Sequence, residues 1–210
     1  MAQWQEYAKV LVALLVIVDP IGIIPVFLVL TAGRTTRQRN RIARAAACAM
    51  ALVLIGSALG GEYALHAFGI GIPSFRVGAG IILLLMAVSM LQARLGPTRQ
   101  APEEAAEAEE KDAVAMVPIA IPLLAGPGAI STVIVYANRP AMGPHALSLC
   151  AIILVCSLVV WTALRLAGPI ARLLGTTGIN IANRLMGLIL AAIAVELMAD
   201  GLKGLFPSLQ

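Results

Sequence analysis

Six apolar runs, at roughly 7–30, 43–65, 73–93, 114–138, 146–165 and 181–203, dominate this 210-residue chain. A helix needs about 20 such residues to cross a hydrocarbon layer about 30 Å thick. In lipid every backbone polar group must be satisfied internally, so such runs fold as helices or as a closed barrel. Aromatics make up only 4% of the residues, too few for the interfacial girdles of an outer-membrane barrel. With 60% hydrophobic and 12% charged residues, the chain carries about half the charge of a soluble domain. It therefore reads as an all-α integral membrane protein. The first residues contain Glu6, lack a basic leader and show no small-residue cleavage site, so the first run is expected to remain in the mature protein.

The net charge of +4 is a matter of topology. Arg34, Arg37, Arg39, Arg41 and Arg44 follow the first run. Arg94, Arg99 and Lys111 lie between the third and fourth, and Arg165, Arg172 and Arg184 between the fifth and sixth or at their edges. These are alternate connections and share one side; Lys9, Arg76, Arg139 and Lys203 are left for the other. The positive-inside rule then places the basic loops in the cytoplasm and both termini outside. Contact with anionic membrane lipids is expected there, and no nucleic-acid partner. Arg76 and the Asn183-Arg184 pair start the third and sixth runs, where arginines are expected to snorkel to the headgroups.

The first run is broken by Asp19-Pro20-Ile21-Gly22 and by Pro25. A carboxylate at membrane depth is costly, about 2.5–3.5 kcal/mol on insertion scales, and marks a functional site by default. Asp is a favoured N-cap and Pro is favoured at the first helical position, so Asp19-Pro20 is expected to open a second half-helix. Pro20 also leaves the Val16 carbonyl without its helical donor. An offset of 107 brings Pro20 onto Pro127, Gly80-Ile81-Ile82-Leu83 onto Gly187-Leu188-Ile189-Leu190, and Ala87-Val88 onto Ala194-Val195. The fourth run repeats the break as Gly126-Pro127-Gly128-Ala129, with Gly126 as the expected cap and Pro118 and Pro122 loosening the turn before it.

The expected architecture is six transmembrane helices in two inverted three-helix repeats, with the first and fourth helices broken at the midplane. The first repeat is 1–93, a charged cytoplasmic linker 94–113, and the second repeat 114–210. Within 165–178, Pro169 to Leu174 is expected to form a short interfacial helix, and Gly56-Ser57-Ala58-Leu59-Gly60 to let helices pack closely. The two breaks would converge on a site for a small zwitterion. Its carboxylate would meet the N–H groups of Gly126 to Ala129, near Ser131, and its ammonium would meet Asp19 and the freed carbonyls. The glycines would leave room only for a small side chain. Asp19 reads equally as a structural cap or as a holder of a proton, a cation or a substrate ammonium. Glu196 is a second candidate for coupling to H+ or Na+. Cys48, Cys150 and Cys156 lie inside runs and suggest neither disulfide nor metal site, and no cofactor is expected. No His-Glu-x-x-His or Gly-x-Ser-x-Gly motif occurs, so an enzyme is not expected.

The segments Asp19 to Phe27, Pro73 to Gly80, Ile121 to Thr132 and Asn183 to Val195 closely resemble the MarC family of membrane proteins. The resemblance covers essentially the whole chain, and the two broken-helix motifs are its most specific parts. It implies a six-span prokaryotic plasma (inner) membrane protein with discontinuous first and fourth helices. It also implies a transporter or exporter of small neutral amino acids such as glycine or alanine, working by alternating access, with homo-oligomers open. A channel or a regulatory membrane protein is the alternative.

Overall fold

A computed structural model describes residues 3–92, 124–138 and 145–206. Among them are seven helices and no strand: α1 (Gln3–Val18), α2 (Ile24–Leu30), α3 (Thr36–Ala67), α4 (Ile72–Leu91), α5 (Pro127–Ala137), α6 (His145–Arg165) and α7 (Ala167–Leu205). Four spans are long and apolar enough to cross a membrane: Thr36–Ala67, Ile72–Leu91, Leu147–Arg165 and Ala167–Leu205. The expected linker 94–113, Pro118 and Pro122 lie outside the described residues.

Helix boundaries follow local chemistry more than hydropathy. α3 starts at Thr36, well before its apolar stretch, because Thr35 and Gln38 form a reciprocal capping box. Its small face is buried at Ala43, Ala46, Ala47 and Ala51. There the Ser157 hydroxyl of α6 donates to the Ala47 carbonyl at 2.8 Å. Gly56 and Gly60 take no part: a Cβ at either would meet nothing within 4 Å. The close approach is made by Gly61, whose face turns to Ile134 of α5. One residue is 100° of helix rotation, enough to move the contact off the expected motif.

α4 and α7 form the most extensive helix pair and run antiparallel. Gly201 meets the Pro73 carbonyl, Gly80 the Ala194 carbonyl and Gly187 the Ala87 carbonyl; a Cβ added to each would lie 2.8, 2.9 and 3.1 Å from that oxygen. Gly175, with φ 62° and ψ −177°, breaks α7 after its first turns. Residues 167–174 are thereby set off as the short helix expected near Pro169. The outward faces are apolar, with Leu52, Tyr63, Leu85, Leu147, Leu158 and Leu188 all more than half exposed, as a lipid-facing surface requires.

Candidate functional site

The first break begins where Asp19 leaves the right-handed region. Its φ is +47°, yet its N–H still donates to the Leu15 carbonyl at 2.9 Å. Aspartate is one of the few non-glycine residues that tolerate this conformation, and a left-handed residue just past the last turn is a common helix stop. Residues 20–23 then form a turn, with Ile23 N–H to Asp19 O at 3.3 Å and Ile24 N–H to Ile21 O at 3.1 Å. α2 begins at Ile24, with Pro25 in its first turn. The expectation that Asp19-Pro20 opens the second half-helix is therefore corrected. The pair ends the first one, because an N-cap needs extended backbone that φ +47° does not supply.

The carboxylate is nevertheless used locally. Asp19 is 1% exposed and accepts the Gly22 N–H at 3.1 Å. Gly22 is buried, and no side chain could replace its hydrogen without crowding. An added Cβ would overlap the Asp19 carboxylate and lie 2.6 Å from Oδ1 of Asn183. Asn183 of α7 thus reaches the break and becomes a site residue, although by sequence it stands only at a helix end. Its Oδ1 is buried and has no hydrogen-bond partner among the described residues. An asparagine amide can present either its oxygen or its NH2 group, so this position can serve an ammonium, a cation or a carboxylate.

At the second break the expected cap and helix start are in place. Gly126 is the N-cap of α5, extended at φ −64° and ψ 169°, and Pro127 starts the helix. Glycine offers no side chain to the first N–H groups, so no side-chain cap occupies them. Ala129 is buried, Pro20, Ile21 and Gly126 are half-buried, and Pro127 is exposed. Ser131 differs from the expectation. Its hydroxyl donates to the Pro127 carbonyl and, at 3.4 Å, to that of Gly128, so it is satisfied within its own helix. Its neighbour Thr132 is 2% exposed, with Oγ1 buried and unpartnered among the described residues. Thr132 lies four residues from Gly128 and therefore on the same helix face.

That face joins the two breaks. A Cβ on Gly128 would lie 2.8 Å from Leu83, 2.9 Å from the Met86 sulfur and 3.5 Å from Ile17. Ile17 is two residues before Asp19, so the end of α1 just ahead of the first break packs on the helix that starts at the second. The same contacts correct the idea that the glycines leave room for a substrate side chain. The space beside Gly22 and Gly128 is filled by the protein's own side chains.

Glu196 is placed elsewhere. It is exposed and lines a cavity of about 690 Å³ together with Glu6, Lys9, Ala13, Tyr136 and Ile193. Lys9 pairs with Glu6 at 3.7 Å. Thirteen residues of α7 separate Glu196 from Asn183, about 20 Å, so the two ion-coupling candidates, Asp19 and Glu196, do not share a site. Ala13 is six residues, about 9 Å of helix, from Asp19. The cavity therefore approaches the first break from the α1 N-terminal side, and its volume is in the range of small-ligand pockets.

Long apolar helices, a lipid-facing exterior and a carboxylate buried at a helix break make this a multi-pass integral membrane protein. The family model for "MarC family integral membrane protein" matches residues 4–206. Similar proteins include the UPF0056 membrane protein YhcE of Escherichia coli (strain K12), 38% identical over 97% of this chain and 94% of its own. The UPF0056 membrane protein YvbG of Bacillus subtilis (strain 168) is 36% identical over 95% of both chains. No solved structure matches the chain. The chain belongs to the MarC family.

Proposed function

We propose that the protein is a secondary transporter of small neutral amino acids such as glycine or alanine, working by alternating access in a prokaryotic plasma membrane. The observation that carries this reading is the packing of the end of α1 on the start of α5, with a buried carboxylate at one break and uncapped helix N–H groups at the other. A zwitterion has the complementary charges: its ammonium goes to Asp19 and Asn183, and its carboxylate to the N-terminus of α5, near Thr132. Backbone without helical partners is tolerated at membrane depth where it is buried in protein or lines a cavity. The buried and unpartnered Asn183 Oδ1 and Thr132 Oγ1 near the breaks favour a site here over a simple kink.

An inverted repeat is part of the proposal. Under the offset of 107, Gly80 against Ala194 maps onto Gly187 against Ala87, and both contacts are made by backbone oxygen. A two-fold axis in the membrane plane would produce this reciprocity between antiparallel helices. Basic loops in the cytoplasm and termini outside complete the arrangement, with H+ or Na+ as the coupling ion.

Uptake of labelled glycine, alanine and serine into proteoliposomes, under imposed proton and sodium gradients, tests this. Wild type should show saturable uptake, and Asp19→Asn and Asn183→Leu should each abolish it while the protein inserts normally. Glu196→Gln should keep the amino-acid-induced rise in melting temperature. Undiminished uptake in both break variants refutes the site, and non-saturable flux without counterflow makes the protein a channel.

A further inference from the structure

At the opposite end of α3 from Ala67 lies a second cavity, of about 630 Å³, lined by four arginines together with Gln38, Asn40 and Trp161. Arg37, Arg41 and Arg44 line it from α3, and Arg165 and Trp161 from α6. The Arg165 guanidinium stands 5.4 Å from the Trp161 ring centroid, a stacking that restrains one arginine in place. None of the four arginines forms an ion pair among the described residues. The reason is visible in the chain itself. No aspartate or glutamate occurs between Asp19 and Glu62, or between Asp112 and Glu196, so α2, α5, α6 and the basic end of α3 supply no counter-ion. On the cavity wall, Trp161 Nε1 is buried without a hydrogen-bond partner among the described residues.

The level of the cavity matters as much as its charge. The 32 residues of α3 span about 48 Å, against about 30 Å of hydrocarbon. Its apolar stretch begins after Arg44, so the turns carrying Arg37, Arg41 and Arg44 form the overhang at the depth of lipid headgroups. Guanidinium forks match phosphate oxygens two at a time. Four converging arginines are more than one monoanionic carboxylate can neutralise.

We propose that this cavity binds a phosphate-bearing anion carrying at least two negative charges, and that it does so independently of the broken-helix site. An anionic phospholipid headgroup and a soluble diphosphate share this chemistry. The test uses the full-length protein in neutral detergent, followed by melting temperature and by native mass spectrometry. The added probes are cardiolipin, phosphatidylcholine or inorganic pyrophosphate. Cardiolipin or pyrophosphate should stabilise wild type where phosphatidylcholine does not. Arg41→Gln with Arg165→Gln should weaken that binding by about tenfold or more, since charged hydrogen bonds are lost, while Arg172→Gln should leave it unchanged. Arg41→Lys with Arg165→Lys keeps the charge and loses the forks; it should fall between, and serves if the glutamine variant does not fold. A response to cardiolipin alone assigns a headgroup, and one to pyrophosphate a soluble ligand. Equal responses from wild type and the paired Arg41 and Arg165 variants, or no response beyond phosphatidylcholine, overturn the proposal. It also fails if a response emerges only after Glu103, Glu104, Glu107, Glu109 and Glu110 are changed to Gln, because the chain's own acidic tract is then the occupant.

Discussion

Gly22→Ala isolates the physics of the first break with a single methyl group. The Gly22 backbone lies outside the positive-φ region, so alanine meets no conformational penalty there and the cost is one of space. The new Cβ would overlap the Asp19 carboxylate and stand 2.6 Å from Asn183 Oδ1. The carboxylate must swing away, and the 3.1 Å bond from Gly22 N–H to Asp19 is lost with it. Overpacking a tight site costs about 1–3 kcal/mol, and a hydrogen bond to a charged group contributes about 1.5–3 kcal/mol. A loss of about 3 kcal/mol is the central expectation, because partial relaxation offsets some of the combined cost. For a chain of this size about 3 kcal/mol lowers the melting temperature by roughly 6–12 °C. Thermal unfolding in detergent measures it, with Gly56→Ala as control. A Cβ at Gly56 meets nothing within 4 Å, and the control should gain about 0.5–1 kcal/mol from helix propensity. The reasoning is refuted if Gly22→Ala melts with wild type, or if Gly56→Ala falls as far.

Gly80→Ala and Gly187→Ala each press a Cβ onto a backbone carbonyl of the facing helix. Each should cost about 1–3 kcal/mol, with similar drops in melting temperature; a loss confined to one of them would argue against a shared two-fold packing. Ser157→Ala removes the 2.8 Å bond from α6 to the Ala47 carbonyl of α3. Interhelical bonds of this kind in membranes average about 0.6 kcal/mol and reach about 1.7, so a fall of roughly 1–7 °C is expected on the usual scaling. Ser89→Ala, whose hydroxyl bonds only within α4, should melt as wild type does.

The helices are largely legible in the sequence because hydropathy and helicity coincide in most of the runs. Where they diverge, hydropathy is the poorer guide. The basic turn from Thr36 to Arg44 is helical because of the Thr35–Gln38 capping box, a signal present in the sequence that apolarity does not register. Gly56 and Gly60 have the spacing of a packing motif, but spacing states only that two residues share a face. Which face meets a neighbour is a tertiary fact, and Gly61 holds it. Gly80 and Gly187 are aligned by the offset of 107, and each packs against a backbone oxygen of the facing helix.

The candidate site shows the same division more sharply. Gly126-Pro127 is legible because extended backbone followed by proline is a purely local solution to starting a helix. Asp19-Pro20 has the same local appearance, but aspartate has a second option, the left-handed helix stop, and the chain takes it there. The contact that then defines the break comes from Asn183, 164 positions further along the chain (183 − 19), and no local pattern can announce it. For function, the consequence is a sharper asymmetry than two matched jaws. One break presents the Asp19 carboxylate and the Asn183 amide; the other presents backbone N–H groups that glycine leaves uncapped. Glycine rather than aspartate at position 126 is thus the informative half of the pair. A side-chain cap there would satisfy the very donors that the carboxylate of the proposed zwitterion would need.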